Sequence, residues 1–294
     1  MVRSMDVDEV VAAYEGMGRH FTAAGVRSFV LDEGKGEAVV CMHGVPASAF
    51  LYRKVVHELA VRGLRGIAFD LPGLGLAERP ADFDYTWTGL GRFASAAVDA
   101  LGLDRFHLVV HDIGGPVGFE VAAALPDQIR SITVLNTLVE VDTFRRPWVM
   151  EPFAHRRIGE FYLGMLNRPL IRALMRLQGV ADRTKITSAE VDAYLTLLRR
   201  QDGGRAFLKI MRGFELTRAK RDLYVGVLRS TRYPVQVVWG AADPALKITS
   251  RGEQARLAAR LDEIHRLPGK HFLQEDQAPA LAERIATFSH TARS

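Results

Sequence analysis

Short apolar runs and longer amphipathic runs alternate along most of this chain. The apolar runs lie within GVRSFVLDEG, GEAVVCMHG, GIAFDLPGLG, FHLVVHD, IRSITVLNT, YPVQVVWGAADP and EIHRLPGKHF. They are short, rich in valine and isoleucine, and bounded by glycine, proline or aspartate, which is the pattern of buried strands. Between them stand segments with helical periodicity, around Arg53 to Arg62 and in GLGRFASAAVDALGL and PVGFEVAAALPDQ. Strands alternating with helices predict an α/β fold, with a mostly parallel sheet covered by helices on both faces.

The ends of the predicted strands share one property. They run into HGVP, DLPG, HDIGG, GAADP and GKH, all polar or glycine-rich. In open parallel sheets chemistry gathers beyond the carboxyl ends of the strands, so these exits are the places to look for a site. The alternation stops between about Glu140 and Arg232. There HRRIGEFYLGMLNRPLIRALMRL, SAEVDAYLTLLRR and GRAFLKIMRGFELTRAKRDLYVGVLRS carry helical spacing without β-branched runs. The expected organisation is a core over 1–139, a helical cap over 140–231, and the rest of the core over 232–294. No internal repeat or low-complexity segment interrupts it.

Composition adds exclusions. The chain has 294 residues, 48% of them hydrophobic, enough for one sizeable core. The net charge of +5 comes mainly from arginines spread singly, without a basic block or interleaved aromatics. That argues against a nucleic-acid partner. Basic residues exceed acidic ones by about eight between residues 140 and 230, as on a solvated helical surface. No apolar run is long enough for a membrane span, no secretory signal is visible near Met1 to His20, and the lone Cys41 has no partner. A cytoplasmic protein without a membrane partner is expected.

FHLVVHDIGGPVGFE, Phe106 to Glu120, has the outline of a nucleophile elbow, a sharp strand-to-helix turn whose usual apex is serine in G-x-S-x-G. Here the apex is Asp112. A carboxylate nucleophile forms an ester with carbon, and water must then hydrolyse it. The competing reading of Asp112 is a simple helix cap. His271, after a strand and a glycine turn in LPGKHFLQED, has the chain position of the base in this architecture. Asp243, in VVWGAADPAL, could orient that histidine, although Asp-Pro is also a plain turn former. Order, spacing and strand context favour the three acting together. Gly44 permits a tight turn after CMH, and the backbone N–H groups of Val45 and Ile113 could converge as an oxyanion hole. His43, His111 and the DLPGLGLAERP loop read as structural. No metal-ligand cluster or dinucleotide fingerprint is present.

With these motifs in hand, the chain resembles the α/β-hydrolase superfamily in its haloalkane dehalogenase and epoxide hydrolase branch. HGVPAS, DLPGLGLAERP, VVHDIGG, WGAADP and GKHFLQED carry the resemblance in order and spacing over nearly the whole chain. It implies the α/β-hydrolase fold, with Asp112 as nucleophile, His271 as base and Asp243 as its acid. The other acid position used in this branch reads Asn136. Dehalogenases hold the departing halide with a tryptophan after the nucleophile and a second N–H donor. Ile113 and Val45 occupy the matching positions and offer no side-chain donor, and a buried halide without donors is costly. Trp148 and Trp87 could substitute as leaving-group donors, although neither lies at a matching position. Epoxide opening uses cap tyrosines as acid. Tyr162 falls near the first, and the second falls near Ile210 and Met211, with Tyr194, Tyr224 and Tyr233 as looser alternatives. One proton donor suffices for an epoxide, so epoxide hydrolysis ranks first. Dehalogenation ranks second, and a non-catalytic ligand-binding homologue third. The expected substrate is a small-to-medium hydrophobic molecule consumed with water, with no cofactor and no metal. A homodimer is left open.

Overall fold

The computed structural model describes residues 5–292. Eight strands form one sheet: β1 Arg19–Ala23, β2 Val26–Glu33, β3 Ala38–Met42, β4 Arg65–Phe69, β5 Phe106–Asp112, β6 Ile129–Thr137, β7 Val235–Gly240 and β8 His265–Leu267. Their order is β1-β2-β4-β3-β5-β6-β7-β8. The β1–β2 and β2–β4 pairs are antiparallel, and all later pairs are parallel. All seven apolar runs fall on strands. β1 is an addition to the expected set. Its burial is poor, because it is an edge strand that packs on one side only, so its sequence RHFTA carries little apolar signal.

The helices of the core are α1 Val7–Gly16, α2 Arg53–Val61, α3 Trp87–Ala100 and α4 Gly114–Ala124 before the insertion. The insertion holds α5 Ile158–Met165, α6 Arg168–Leu174, α7 Ser188–Arg199, α8 Arg205–Arg212 and α9 Arg218–Leu228. After it come α10 Glu253–Ala258, α11 Leu273–Asp276 and α12 Ala278–Thr291. α2 packs on α12 and α3 on α4, which covers the sheet from both faces. The central strands are correspondingly buried along their length: β3 entirely, and β5 up to its last residue. Such strands show apolar runs rather than alternation because both faces meet helices. Local chemistry sets several helix starts. The Thr86 side chain accepts from Gly89 N–H at the start of α3, and Thr187 and Glu190 form a capping box on α7.

Between β6 and β7 the chain forms helices and turns without a strand. A buried ion network joins this insertion to the core. Arg53, on α2, reaches Glu275 on α11 at 2.6 Å and Glu190 on α7 at 2.7 Å. Lys54 adds a second cation to Glu275 at 2.7 Å. Charges this buried are tolerated only when paired, so removing one partner leaves the others uncompensated. The network therefore fixes where α7 sits over the carboxyl ends of the strands.

Candidate active site

Asp112 is the last residue of β5 and has φ of 53°, in the left-handed region that side-chain-bearing residues seldom occupy. The pairing of β5 with β6 shifts register between His111 and Asp112, and the Thr137 hydroxyl donates to the Asp112 carbonyl. These contacts hold the strained turn that lifts the carboxylate off the sheet. The carboxylate does not cap α4. The N-cap there is Ile113, and no side-chain cap bond is made. Instead Val45 N–H donates to Asp112 Oδ1 at 2.8 Å, and the neighbouring Ile113 N–H favours the charged carboxylate. Gly44 makes this approach feasible, since a Cβ there would lie 2.1 Å from Asp112 Oδ1. Gly115 does the same for α4, where a Cβ would lie 1.8 Å from Thr137 Oγ1.

His271 Nε2 lies 3.5 Å from Asp112 Oδ2, and its Nδ1 lies 2.8 Å from Asp243 Oδ2. Asp112 Oδ1 is thus held by the Val45 N–H while Oδ2 faces the imidazole. Asp243 serves both purposes that its motif allowed. Its Oδ1 accepts from Ala245 N–H at 2.8 Å and Leu246 N–H at 2.9 Å, building the turn. Its Oδ2 takes His271 and also the Asn136 amide, at 2.6 Å. Asn136, read from sequence only as a missing acid, is a donor that fixes Asp243, and its Oδ1 accepts from Gly240 N–H at 2.9 Å. His111 lies beneath the elbow, and its Nε2 donates to the His271 carbonyl at 2.8 Å. His43 Nδ1 donates to the Gly44 carbonyl, and its Nε2 accepts from Leu71 N–H, tying the HG turn to the DLPG loop.

Above these residues lies a cavity of about 140 Å³. The core contributes Val45, Asp112, Ile113, Leu246 and His271 to its floor, while the insertion walls it with Met150, Phe153, Met211 and Phe214. Away from Asp112 and His271 its polar side chains are Arg146, Tyr162 and Gln178. Tyr162 packs edge-on against Phe153 at 5.0 Å. Trp148 does not reach the cavity and is no leaving-group donor in this geometry. It follows Pro147 out of the wall and is 80% exposed. Trp87 is buried beside Phe214, outside the lining. Tyr194, Tyr224 and Tyr233 are committed to Glu275, Glu120 and the Val227 carbonyl. The position expected for a second tyrosine falls near Ile210 and Met211, of which Met211 lines the cavity. Among the described residues no group of three or more histidine, cysteine, aspartate or glutamate side chains converges as a metal site would require.

Residues 37–278 match the family model described as the alpha/beta hydrolase fold. The chain belongs to that family. It is 28% identical over 282 residues to a haloalkane dehalogenase of Psychrobacter cryohalolentis, covering 90% of this chain and 88% of the relative. It is also 28% identical over 295 residues to haloalkane dehalogenase 2 of Mycobacterium tuberculosis, covering 96% and 98%. Among solved structures, wild-type Cfl2 from Burkholderia cenocepacia superposes with a TM-score of 0.78 at 24% identity, over 92% of this chain and 95% of that one. That last likeness is one of fold. No helix among the described residues of this alpha/beta hydrolase is long and apolar enough to cross a membrane.

The electrostatics of the hydrolase centre follow from two carboxylates facing one imidazole. Burial disfavours the His271 cation, but Asp243 and Asp112 outweigh it and push the imidazole up to about 10. Burial likewise opposes ionisation of Asp112, yet bonding to His271 brings its carboxyl below the usual range. Asp243 is lowered in the same way, against burial, by the charge of His271. His111, buried beside that cation, is pushed down to about 3 and stays neutral. The folded value of His271 is raised, so its pairing stabilises the fold fully below its ordinary 6.5. That contribution is lost as pH rises through about 10. Neutralising Asp112 removes one of the two anions. In Asp112→Asn the His271 ring is expected to titrate clearly below about 10, as read by ring-nitrogen NMR. An unchanged titration would mean that Asp243 alone holds the proton.

Proposed function

We propose that this protein hydrolyses a carbon–halogen bond through an alkyl ester of Asp112. The observation that carries the reading is the split carboxylate: Oδ1 is held by Val45 N–H at 2.8 Å, and Oδ2 faces His271 Nε2 at 3.5 Å. A serine at this elbow would form an ester with an acyl group. A carboxylate attacks an alkyl carbon instead. Asp112 Oδ2 forms the new C–O bond as the C–X bond breaks and the halide leaves with the bonding pair. The ester no longer bears the Asp112 charge, so His271 gives its proton to solvent, where it balances the departed halide, and becomes a base. It then takes a proton from water, whose oxygen adds to the Asp112 carboxyl carbon. The N–H groups of Val45 and Ile113 hold the resulting oxyanion on Oδ1. Collapse releases the alcohol and restores Asp112, so an alkyl halide and water give an alcohol and the hydrogen halide. Residues 140–231 act in this scheme as a cap that excludes bulk water from a small apolar cavity.

This order of substrates reverses the one drawn from the sequence. Halide expulsion is short of side-chain donors at Val45 and Ile113, and epoxide opening is equally short of its second tyrosine, because Met211 stands there. With that handicap balanced, the haloalkane dehalogenase relatives over nearly full length favour the halide. Tyr162 in the wall of the cavity keeps epoxide hydrolysis as the second reading. The test is a panel of short haloalkanes and matched epoxides, with halide release and diol formation measured on the same preparation. Halide release that disappears in Asp112→Ala supports the proposal. Diol formation alone, lost in Tyr162→Phe, would replace it with the epoxide reading.

A further inference from the structure

The insertion carries an apolar surface that the chemistry at Asp112 does not use. Ile158, Phe161 and Met165 are 58%, 70% and 55% exposed. Their spacing on α5 is i, i+3 and i+7, so they share one face of the helix. Trp148, at 80% exposed, borders the same face, because it and Ile158 line one shallow depression. Four of the ten large hydrophobic side chains exposed in the described residues are thus gathered within 18 positions. Single exposed apolar residues are ordinary, but a contiguous set marks an interaction surface.

The rim is basic. Arg145 lines the depression, and Arg156 and Arg157 precede α5; all three are exposed, and none forms an ion pair with a described residue. The carboxylates nearby are already engaged. Glu151 is shared by His155 at 3.2 Å and Arg146 at 3.9 Å, and Glu160 pairs with Arg212 at 3.2 Å. An apolar helix face with aromatic residues and a surplus of arginine fits the surface of an anionic lipid bilayer. A second copy of the chain fits less well, since a symmetric contact through this patch would set the arginines of one copy against those of the other. The depression also shares Phe144 and Arg146 with the wall of the active-site cavity, which places the patch next to that cavity.

We propose that Trp148 and the outer face of α5, with Arg145, Arg156 and Arg157, dock the enzyme reversibly on anionic lipid surfaces. Such docking is peripheral and needs no spanning helix. The test is sedimentation of the full chain with phosphatidylcholine vesicles and with vesicles containing phosphatidylglycerol. Binding is expected to the anionic vesicles, weakening as ionic strength rises. Ile158→Ser with Phe161→Ser should weaken it by about tenfold or more, and Arg145→Glu with Arg156→Glu should do the same through charge. Both variants alter exposed side chains, so turnover of a water-soluble substrate should persist and report an intact fold. Equal binding to neutral vesicles, no binding at all, or binding unchanged in both variants would overturn the proposal. So would a dimer in solution that dissociates in Ile158→Ser with Phe161→Ser while lipid binding is absent.

Discussion

In His271→Gln, turnover is expected to fall by about 10³-fold while the first half of the proposed reaction continues. The asymmetry follows from the geometry. Attack by Asp112 Oδ2 on carbon needs an ionised carboxylate, and Val45 N–H holds the other oxygen in place whether or not His271 is present. Hydrolysis of the ester needs a base next to the Asp112 carboxyl carbon, and His271 is the imidazole there, 3.5 Å from Oδ2. A glutamine fills similar space and cannot accept the proton. One covalent adduct per chain is therefore expected with a reactive alkyl halide. Peptide mass spectrometry should locate it on the segment containing Asp112, and Asp112→Ala should abolish it. In wild-type enzyme turned over once in heavy-oxygen water, label should enter the Asp112 carboxylate. Label confined to the alcohol, with no adduct in His271→Gln, would mean that water attacks the substrate directly.

The sequence made this centre legible because each of its parts sits at the end of a strand. Apolar runs buried on both faces mark β3, β5 and β7 without ambiguity, and the residues just past them are then few enough to weigh one by one. Asp112 and Asp243 stand out in that way, and the backbone groups of Val45 and Ile113 follow from the turn that Gly44 permits, whereas His271 follows the short, partly exposed β8 and is marked by its glycine turn and its place in chain order. What sequence could not show is set by contacts between distant segments. The amide of Asn136 is polar among apolar neighbours, but only the packing of β6 against β7 places it on Asp243. His111 looks like any histidine before a turn until its bond to the His271 carbonyl is seen. Trp148 was nominated for its chemistry, and its direction depends on a backbone turn that local pattern does not encode. β1 escaped notice because an edge strand lacks the two-sided burial that exposes its neighbours.

The second large effect is expected at Asp243. Asp243→Asn leaves the fold in place, because the turn bonds from Ala245 and Leu246 need only an oxygen acceptor. It removes the charge that holds the His271 proton on Nδ1 and leaves Nε2 free to act. An amide there can donate to Nδ1 and impose the wrong tautomer. The loss in turnover should be about 10⁴-fold, the scale found when an orienting aspartate becomes asparagine in a serine-protease triad. His271 should also lose its high titration point, since Asp243 is the larger of the two charges that raise it. Asn136 allows a sharper test than a single knockout. Its amide nitrogen is 2.6 Å from the Asp243 carboxylate, so a carboxylate at position 136 would stand next to the lost one, on the neighbouring strand. Adding Asn136→Asp to Asp243→Asn is expected to recover at least tenfold of the turnover, and the wild-type acid with Asn136→Asp alone should change little. In that single variant two adjacent carboxyls share one proton and still present one anion to the imidazole. If Asp243→Asn stays within tenfold of wild type, the acid does not orient His271. If the double variant recovers nothing while its His271 titration returns towards the wild-type value, charge alone is insufficient and the direction of the Asp243 oxygen is what selects the tautomer.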